Sequence, residues 1–567
     1  MQKTGAEILV ESLIRENVEI MFGIPGGVAL PIFDKLYDAP IKFILTRHEQ
    51  GASHMADGYA RSTGKVGVCI TTSGPGATNI VTGLATANMD SIPIVAITCQ
   101  VATNLIGNDA FQEADSTGIT RPITKHNYLV KDVKELAKTI HEAFYIARTG
   151  RPGPVLIDVP VDVQRAVTEF IWQDKVEIRS YKPVLHGHPR QIKKLADSLN
   201  SSKRPVIYAG GGVVSSNASK ELLELAEKID APVTTTLLAL GCFPPDHELY
   251  LGMLGMHGTY YANMSIQNAD LILAIGARFD DRCTGKISSF APKANTIAHI
   301  DIDPTSISKT VPANIPIVGD AKNVLIELLK HVNKKKHPEW LKQIEIWKKE
   351  HPLTYKNDDK LRPQYVVEKI NELTGGDAII TTEVGQNQMW AAQFYKPSRP
   401  RHFITSGGLG TMGFGFPAAI GAKLGNPKKI VIDIAGDGSF QMNIQELATA
   451  VVNNINVIVA ILNNSYLGMV RQWQHMFYKG RYSASQLYTQ PDNRFQCPIP
   501  DFVKVAQAYN AVGYRVTKKE EVIPTLKKAI KIKDKPVIID FVVDKEENVF
   551  PMVPAGAALD EVITSLA

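Results

Sequence analysis

Residues 66–98 read VGVCITTSGPGATNIVTGLATANMDSIPIVAIT, and residues 430–461 read IVIDIAGDGSFQMNIQELATAVVNNINVIVAI. Each is an apolar strand, a turn with glycine at both ends of a triplet, a helix containing Leu-Ala-Thr-Ala, and a second apolar strand. The offset is 362 residues at the glycines and 363 at the Leu-Ala-Thr-Ala. Strand, tight turn, helix and strand make the basic unit of a doubly wound α/β sheet, so this likeness predicts two copies of one fold in the chain. The copies differ in the turn. The first has Gly74-Pro75-Gly76 and the second Gly436-Asp437-Gly438, so only the second can offer a metal a carboxylate.

The same alternation continues around each copy. Ile8, Leu9 and Leu13 recur at helical spacing before a short strand, Ile20 to Phe22, that ends in Gly23, Pro25, Gly26 and Gly27. It runs on to a strand from Val155 to Val159 framed by Pro152, Pro154 and Pro160, and the periodicity then fades between Val163 and Pro189, which reads as a linker. A second unit opens with Pro205 to Tyr208 running into Gly210, Gly211 and Gly212, with further strands at Leu271 to Ile275 and Ile297 to Ile302. Lys334, Lys335, Lys336, Lys342, Lys348 and Lys349 follow, interleaved with Trp340, Ile344, Trp347 and with Glu339, Glu345 and Glu350. This is an amphipathic surface helix joining two domains, the acidic residues diluting any nucleic-acid patch. The expected division is three doubly wound α/β domains at 1–165, 190–330 and 362–550, with a tail at 551–567.

Composition narrows the class. Lys plus Arg is 62 and Asp plus Glu is 57 in 567 residues, a net charge of +5 that argues against a dedicated nucleic-acid binder. Apolar stretches such as Val457 to Leu462 fall far short of the roughly 18 residues that span a bilayer. The N-terminal segment carries Glu7 and Glu11 and lacks the apolar core of a signal peptide. Cys69, Cys99, Cys242, Cys283 and Cys497 are odd in number and form no CxxC, which fits reduced thiols in a cytoplasm-like compartment.

The chemistry concentrates at Gly436-Asp437-Gly438. Two glycines let the backbone approach a phosphate, and Asp437 supplies a hard oxygen at the strand end. Asn464 comes 27 residues later, at the end of the next strand, where its carboxamide oxygen can reach the same ion. A Mg²⁺ shell of roughly six oxygens is completed by one backbone carbonyl and the oxygens of a diphosphate.

This Gly-Asp-Gly followed by Asn463 and Asn464 resembles the motif of thiamine-diphosphate enzymes. The resemblance implies a glutamate that hydrogen-bonds the cofactor's pyrimidine N1′, and Glu49, in Arg47-His48-Glu49-Gln50-Gly51-Ala52, matches it. A carboxyl sharing its proton with N1′ favours the imino tautomer of the neighbouring amino group, which can then remove the weakly acidic C2 proton of the thiazolium. The resemblance narrows to the catalytic subunits of acetohydroxyacid synthases through FGIPGG (22–27), DAFQE (109–113), KHNYLV (125–130), GRPGPVLIDVP (150–160), GMLGMHG (252–258), RFDDRCTGK (278–286), GQNQMWAAQ (385–393), GGLGTMGFG (407–415), LGMVRQWQ (467–474) and FPMVPAG (550–556). The RFDDR (278–282) and MVRQW (469–473) stretches speak against a related oxidase that would use its flavin as oxidant.

What the resemblance implies is specific. The outer domains would bind thiamine diphosphate and the central one FAD, without a redox role. Pyruvate would be decarboxylated and its two-carbon fragment joined to a second pyruvate or to 2-oxobutyrate. Gln112 would face the substrate side of the cofactor, Met412 would hold the two cofactor rings bent, and Trp473 would line the acceptor pocket. Gly385, Gln386 and Asn387 resemble the diphosphate loop, with Gly410, Gly436, Gly438, Ser439, Gly468 and Met469 as further contacts. Asp437, Asn464 and the carbonyl of Tyr466 would hold the metal. Gly210, Gly211, Gly212, Met256, His257, Gly258, Arg278, Asp280 and Asp301 are the candidate flavin contacts. A homodimer or homotetramer, a small regulatory subunit, and a place in the cytoplasm or an organelle interior are also implied. Val28, Ala102, Val161 and Asn387 stand where alanine, proline, lysine and histidine are common; the first three belong to the channel to the cofactor, which is expected to weaken inhibitors that fill it.

Overall fold

The computed structural model describes residues 1–488 and 500–565. Cys497 lies outside the described residues, and the other four cysteines are free and buried. Three six-stranded parallel sheets carry the fold. In the first, the strands lie in the order Lys42–Leu45, Ile20–Gly23, Gly67–Thr71, Ile94–Gln100, Val155–Pro160, His126–Leu129. Numbered along the chain, that order is 2-1-3-4-6-5. The third sheet, running Phe403–Ile404, Ile379–Thr382, Val431–Gly436, Ile458–Asn463, Val537–Val542, Val512–Val516, has the same order. The repeat seen in the sequence is therefore a repeat of topology. The inner strands of both sheets are buried on both faces, which is why they read as unbroken apolar runs.

The middle sheet differs. Its order is Tyr250–Met253, Val233–Thr235, Pro205–Ala209, Leu271–Ile275, Thr296–Asp301, Ile315–Val318, or 3-2-1-4-5-6, the order of dinucleotide-binding sheets. The helix Pro338–Glu350 that follows buries Trp340 and Ile344 as its spacing predicts.

The first and third sheets are packed together by two helices, Glu49–Thr63 and Gly415–Gly425, which cross at backbone contact. A Cβ on Gly58 would stand 2.1 Å from the carbonyl oxygen of Ala418, and one on Gly421 would stand 1.9 Å from that of Met55. One apolar core spans both sheets through Phe22, Met55, Tyr59, Phe414, Phe416 and Leu447.

Two features depart from the expected organisation. The stretch expected to be a linker holds a short helix, Val161–Arg165, and a strand, Val167–Glu169, paired antiparallel with Gln2–Thr4. Three-residue strands have no periodicity of their own, and each exists only because the other is present. The tail is also part of the central core: Val553 and Leu559 are buried in it, and the Val553 amide donates to the Met256 carbonyl at 2.8 Å.

Candidate active site

In the third sheet the chain order reverses between the neighbouring strands Ile379–Thr382 and Val431–Gly436, and a crevice opens at their carboxyl ends, where open α/β sheets bind ligands. Gly385, Gln386, Asn387, Gly436, Asp437, Gly438, Ser439, Asn464, Tyr466, Gly468 and Met469 line it, with Met412 over them. Asn387 ties the two strand ends together by donating from Nδ2 to the carbonyls of Glu383 (3.1 Å) and Ile434 (2.9 Å). Ser439 Oγ donates to the Gly436 carbonyl at 3.3 Å. Of the two asparagines, Asn463 faces the sheet and donates to Asp540 at 2.8 Å. Asn464 faces the crevice, its Nδ2 donating to Gln386 Oε1 at 3.1 Å and its Oδ1 accepting from the Tyr466 amide at 3.1 Å.

Asp437 is 4% exposed, and burial pushes its carboxyl up to about 7. Asp540 adds to that rise, while the amides of Asp437, Ser465 and Gly438 oppose it. A buried carboxylate beside another acid favours a bound cation. Among the described residues no three His, Cys, Asp or Glu gather to hold a metal, so a cation at Asp437 must complete its shell from amide, carbonyl and ligand oxygens. That donor set suits Mg²⁺ on a diphosphate.

Sequence reasoning missed the layer beneath the crevice. Glu383 and Asp433 are fully buried there, Glu383 accepting from the amides of Gly413 (2.6 Å) and Phe416 (3.0 Å). Burial raises both carboxyls, and the charge of Glu383 raises Asp433 further. The available signal was an acid inside an apolar strand, IVIDIAG, and one ending another, ITTE.

The second group lies on the first sheet. Glu49 opens the helix Glu49–Thr63, is 9% exposed, and accepts a hydrogen bond from Asn79 Nδ2 at 2.9 Å. The helix start is held from the third sheet by Glu446, which accepts from the amides of Arg47 (3.1 Å) and His48 (3.0 Å). Gln112, at φ 58°, is exposed and lies against Gly74, where a Cβ would come within 2.8 Å of the Gln112 carbonyl oxygen. Glu49, the Gly74-Pro75-Gly76 turn and Gln112 thus form one group, and Asn79 and Glu446 are members that sequence reasoning did not find. No residue of 1–165 lines the Asp437 crevice, so the chain does not bring Glu49 and Asp437 into one cavity. The segments that carry Ala102 and Val161 are tied together at the next residues, Asp162 accepting from both the amide (3.0 Å) and hydroxyl (2.5 Å) of Thr103.

A groove of about 950 Å³ opens at the reversal point of the middle sheet. Gly211, Gly212, Met256, His257, Arg278, Asp280 and Asp301 line it, whereas Gly210 and Gly258 stand behind the wall. The close approach of Gly212 to Gly276, where a Cβ would lie 2.6 Å from the opposite Cα, makes a cradle no larger residue could line. Asp280 spends one carboxylate oxygen capping the helix Asp281–Thr284, and burial lowers His257 to about 4. The groove reaches the third domain, where Val384, Gly385, Met412, Met469 and Val470 line both it and the crevice. Trp473 lines the groove and an adjoining cavity of about 830 Å³ with Phe477 and Tyr478, and its buried Nε1 has no hydrogen-bond partner among the described residues.

Three family models match the chain: "Thiamine pyrophosphate enzyme, N-terminal TPP binding domain" over residues 3–119, the central domain of the same enzymes over 192–328, and their C-terminal TPP binding domain over 383–541. The fold and crevice are those of a thiamine-diphosphate enzyme. The chain is 50% identical over 567 residues to the acetolactate synthase large subunit of Corynebacterium glutamicum, covering 99% of this chain and 90% of that one. It is 51% identical over 568 residues to that of Buchnera aphidicola subsp. Schizaphis graminum (98% of each), and 48% identical over 571 residues to the acetolactate synthase isozyme 3 large subunit of Escherichia coli (98% of each). The chain belongs to the acetolactate synthase large-subunit family.

Proposed function

We propose that this chain decarboxylates pyruvate and transfers the two-carbon unit to pyruvate or 2-oxobutyrate, giving 2-acetolactate or 2-aceto-2-hydroxybutyrate for branched-chain amino-acid synthesis. The observation that carries the reading is the crevice holding Asp437 and Asn464 at the reversal point of the third sheet, continuous with the groove of the middle one. Bound there, thiamine diphosphate supplies a carbon acid that adds to a 2-oxo group and accepts the electron pair released with CO₂.

The residues divide the work. Gly385, Gln386, Asn387, Gly436, Gly438, Ser439 and Gly468 offer close backbone and amide groups to the diphosphate. Asp437, Asn464 and the Tyr466 carbonyl hold Mg²⁺. Glu49 keeps a proton at N1′ of the pyrimidine, with Asn79 fixing its carboxyl. Met412, backed by Gly410 and Met469, holds the cofactor bent, Gln112 closes the substrate side, and Trp473 lines the acceptor wall. FAD lies in the groove along Gly211, Gly212, Met256, His257, Arg278, Asp280 and Asp301. The division at 1–165, 190–330 and 362–550 follows the three sheets.

The active unit is a homodimer or homotetramer in which Glu49 of one chain meets Asp437 of another. One fact supports this: no wall of the crevice comes from residues 1–165. A small regulatory partner fits the relatives being large subunits. No helix among the described residues is long and apolar enough to cross a membrane, consistent with a cytoplasmic enzyme. The test incubates the protein with pyruvate, thiamine diphosphate, Mg²⁺ and FAD and scores acetolactate as acetoin after acidification. Peroxide release with oxygen uptake in its place would overturn the reading.

A further inference from the structure

Met412 rides on a strap, residues 406–413, that has no regular secondary structure and contains Gly407, Gly408, Gly410 and Gly413. Gly410 and Gly413 have φ of 68° and 88°, and Gly407 to Gly410 are exposed. Glycine-rich backbone has the most freedom to lose, and an exposed strap has little packing to hold it. It is held by polar clamps instead. On the far side of Met412, Glu383 accepts from the Gly413 amide at 2.6 Å, and Asn443 Nδ2 donates to the Gly413 carbonyl at 2.6 Å.

On the near side the clamp comes from the first domain. Asp90, its side chain fully buried at the end of the helix Val81–Asp90, accepts from the Gly407 amide at 3.0 Å and the Gly408 amide at 2.7 Å. Arg61 holds that carboxylate in place at 2.9 Å, pairs with Asp57, and donates from Nη1 to the Thr405 carbonyl at 2.8 Å. One helical turn earlier, the Thr86 hydroxyl meets the Thr411 hydroxyl at 2.7 Å. Asp90, Gly407, Gly408, Gly410 and Met412 all border the groove, and Met412 also borders the crevice.

We propose that Asp90 is a positioning residue for Met412: through the Gly407 and Gly408 amides, with Thr86 assisting at Thr411, it sets where the strap presents the Met412 side chain between groove and crevice. The proposal rests on the reading of Met412 as the residue that holds the cofactor bent. The competing role for Asp90 is that of a counter-ion whose loss merely leaves Arg61 with Asp57 alone and weakens the fold.

Two readouts on the assembled holoenzyme separate them. In Asp90→Asn, hydrogen–deuterium exchange of peptides spanning 405–413 should quicken at least about 10-fold while peptides from 49–60 keep their protection. The kcat for acetolactate should fall about 10-fold with the pyruvate KM little changed. Added to Met412→Ala, the same substitution should cost less than about twofold more, because both act on one contact. Thr86→Val, which leaves the Arg61 pair intact, repeats the cycle should Asp90→Asn not fold, with about a threefold fall in kcat and the same non-additivity. Unchanged exchange in the strap, or losses that multiply with Met412→Ala, would overturn the proposal. A wild-type kcat in Met412→Ala would overturn the reading of Met412 and this role with it, whatever the exchange data show.

Discussion

The first and third sheets share the strand order 2-1-3-4-6-5 and differ in what stands at the strand ends. The correspondence reaches single residues. Asp158 faces Thr98 across the first sheet and Asp540 faces Ile461 across the third, at the same offset of 363 along the opposing strands. Both aspartates are buried, and each is satisfied locally: Asp158 accepts from Thr98 and Gln100, and Asp540 from Asn463 and Arg515. At the turn the copies diverge. Pro75 starts a helix and offers no ligand atom, leaving the neighbouring space to Glu49 and Asn79. Asp437 fills the equivalent position with a buried carboxylate, and Asn464 stands opposite. One fold thus carries two different sets of groups at its strand ends, because strand order fixes where a crevice opens while the turn residue fixes what it can hold.

The largest effect expected from breaking this division is at Asp437. Asp437→Ala should lower carboligation about 10³-fold and abolish Mg²⁺-dependent retention of the cofactor, as Asp437 is the one carboxylate among the described residues that line the crevice. Pro75→Asp should not create a metal site in the first copy; Mg²⁺ titration by calorimetry that found a new site would mean the turn alone suffices. Glu49→Gln comes next, slowing C2 deprotonation by roughly two orders of magnitude with cofactor still bound, as measured by hydrogen–deuterium exchange at C2. Near-full turnover would remove Glu49 from the role. Mixing these two inactive proteins should restore about a quarter of wild-type activity, through hybrids with one intact site, if the half-sites belong to different chains. No recovery after verified subunit exchange would place both halves in one chain.

Trp473, in the third copy, tests the proposed acceptor wall. Two acceptors differing by one methylene are separated by about 1–3 kcal/mol in an apolar pocket, so wild type should favour 2-oxobutyrate in competition and Trp473→Leu should lose most of that preference. Acetolactate formation from pyruvate alone should continue. An unchanged product ratio in a folded variant would exclude the indole from that wall.

The smallest effect concerns the grip of the third copy on the first. Burial pushes the Glu446 carboxyl up to about 7, above its unfolded value near 4.5. The unfolded chain therefore ionises first, and this group costs stability progressively as pH rises from about 4.5 to 7. Glu446→Gln keeps acceptors for the Arg47 and His48 amides without the charge. Its stability relative to wild type should then improve by on the order of 1 kcal/mol between pH 5 and pH 8 in denaturant titrations. An advantage that shrinks with rising pH would contradict the burial of an ionisable Glu446.

The α/β class, the doubled unit, the Gly-Asp-Gly turn and the candidate roles of Asp437 and Asn464 were legible in the sequence, because strands and tight turns are written in residues within a few positions of one another, while the candidate role of Glu49 came only through the resemblance those motifs carry. The sequence singled out Asn464 over Asn463, and the pleat is what separates them: it sends Asn463 to Asp540 and Asn464 into the crevice. The strand at Val167–Glu169 was illegible because its partner lies at Gln2–Thr4. Glu446, Asp90 and the Glu383–Asp433 pair were invisible for the same reason. Each works by accepting amides or sharing burial with residues tens to hundreds of positions away, and such contacts exist only once register, helix crossing and burial have been set by the whole fold. The sequence determined what kinds of group this protein possesses, and the tertiary structure decided that one chain keeps Glu49 and Asp437 in separate places, since those positions follow from packing two copies of a sheet against each other and from nothing local to either motif.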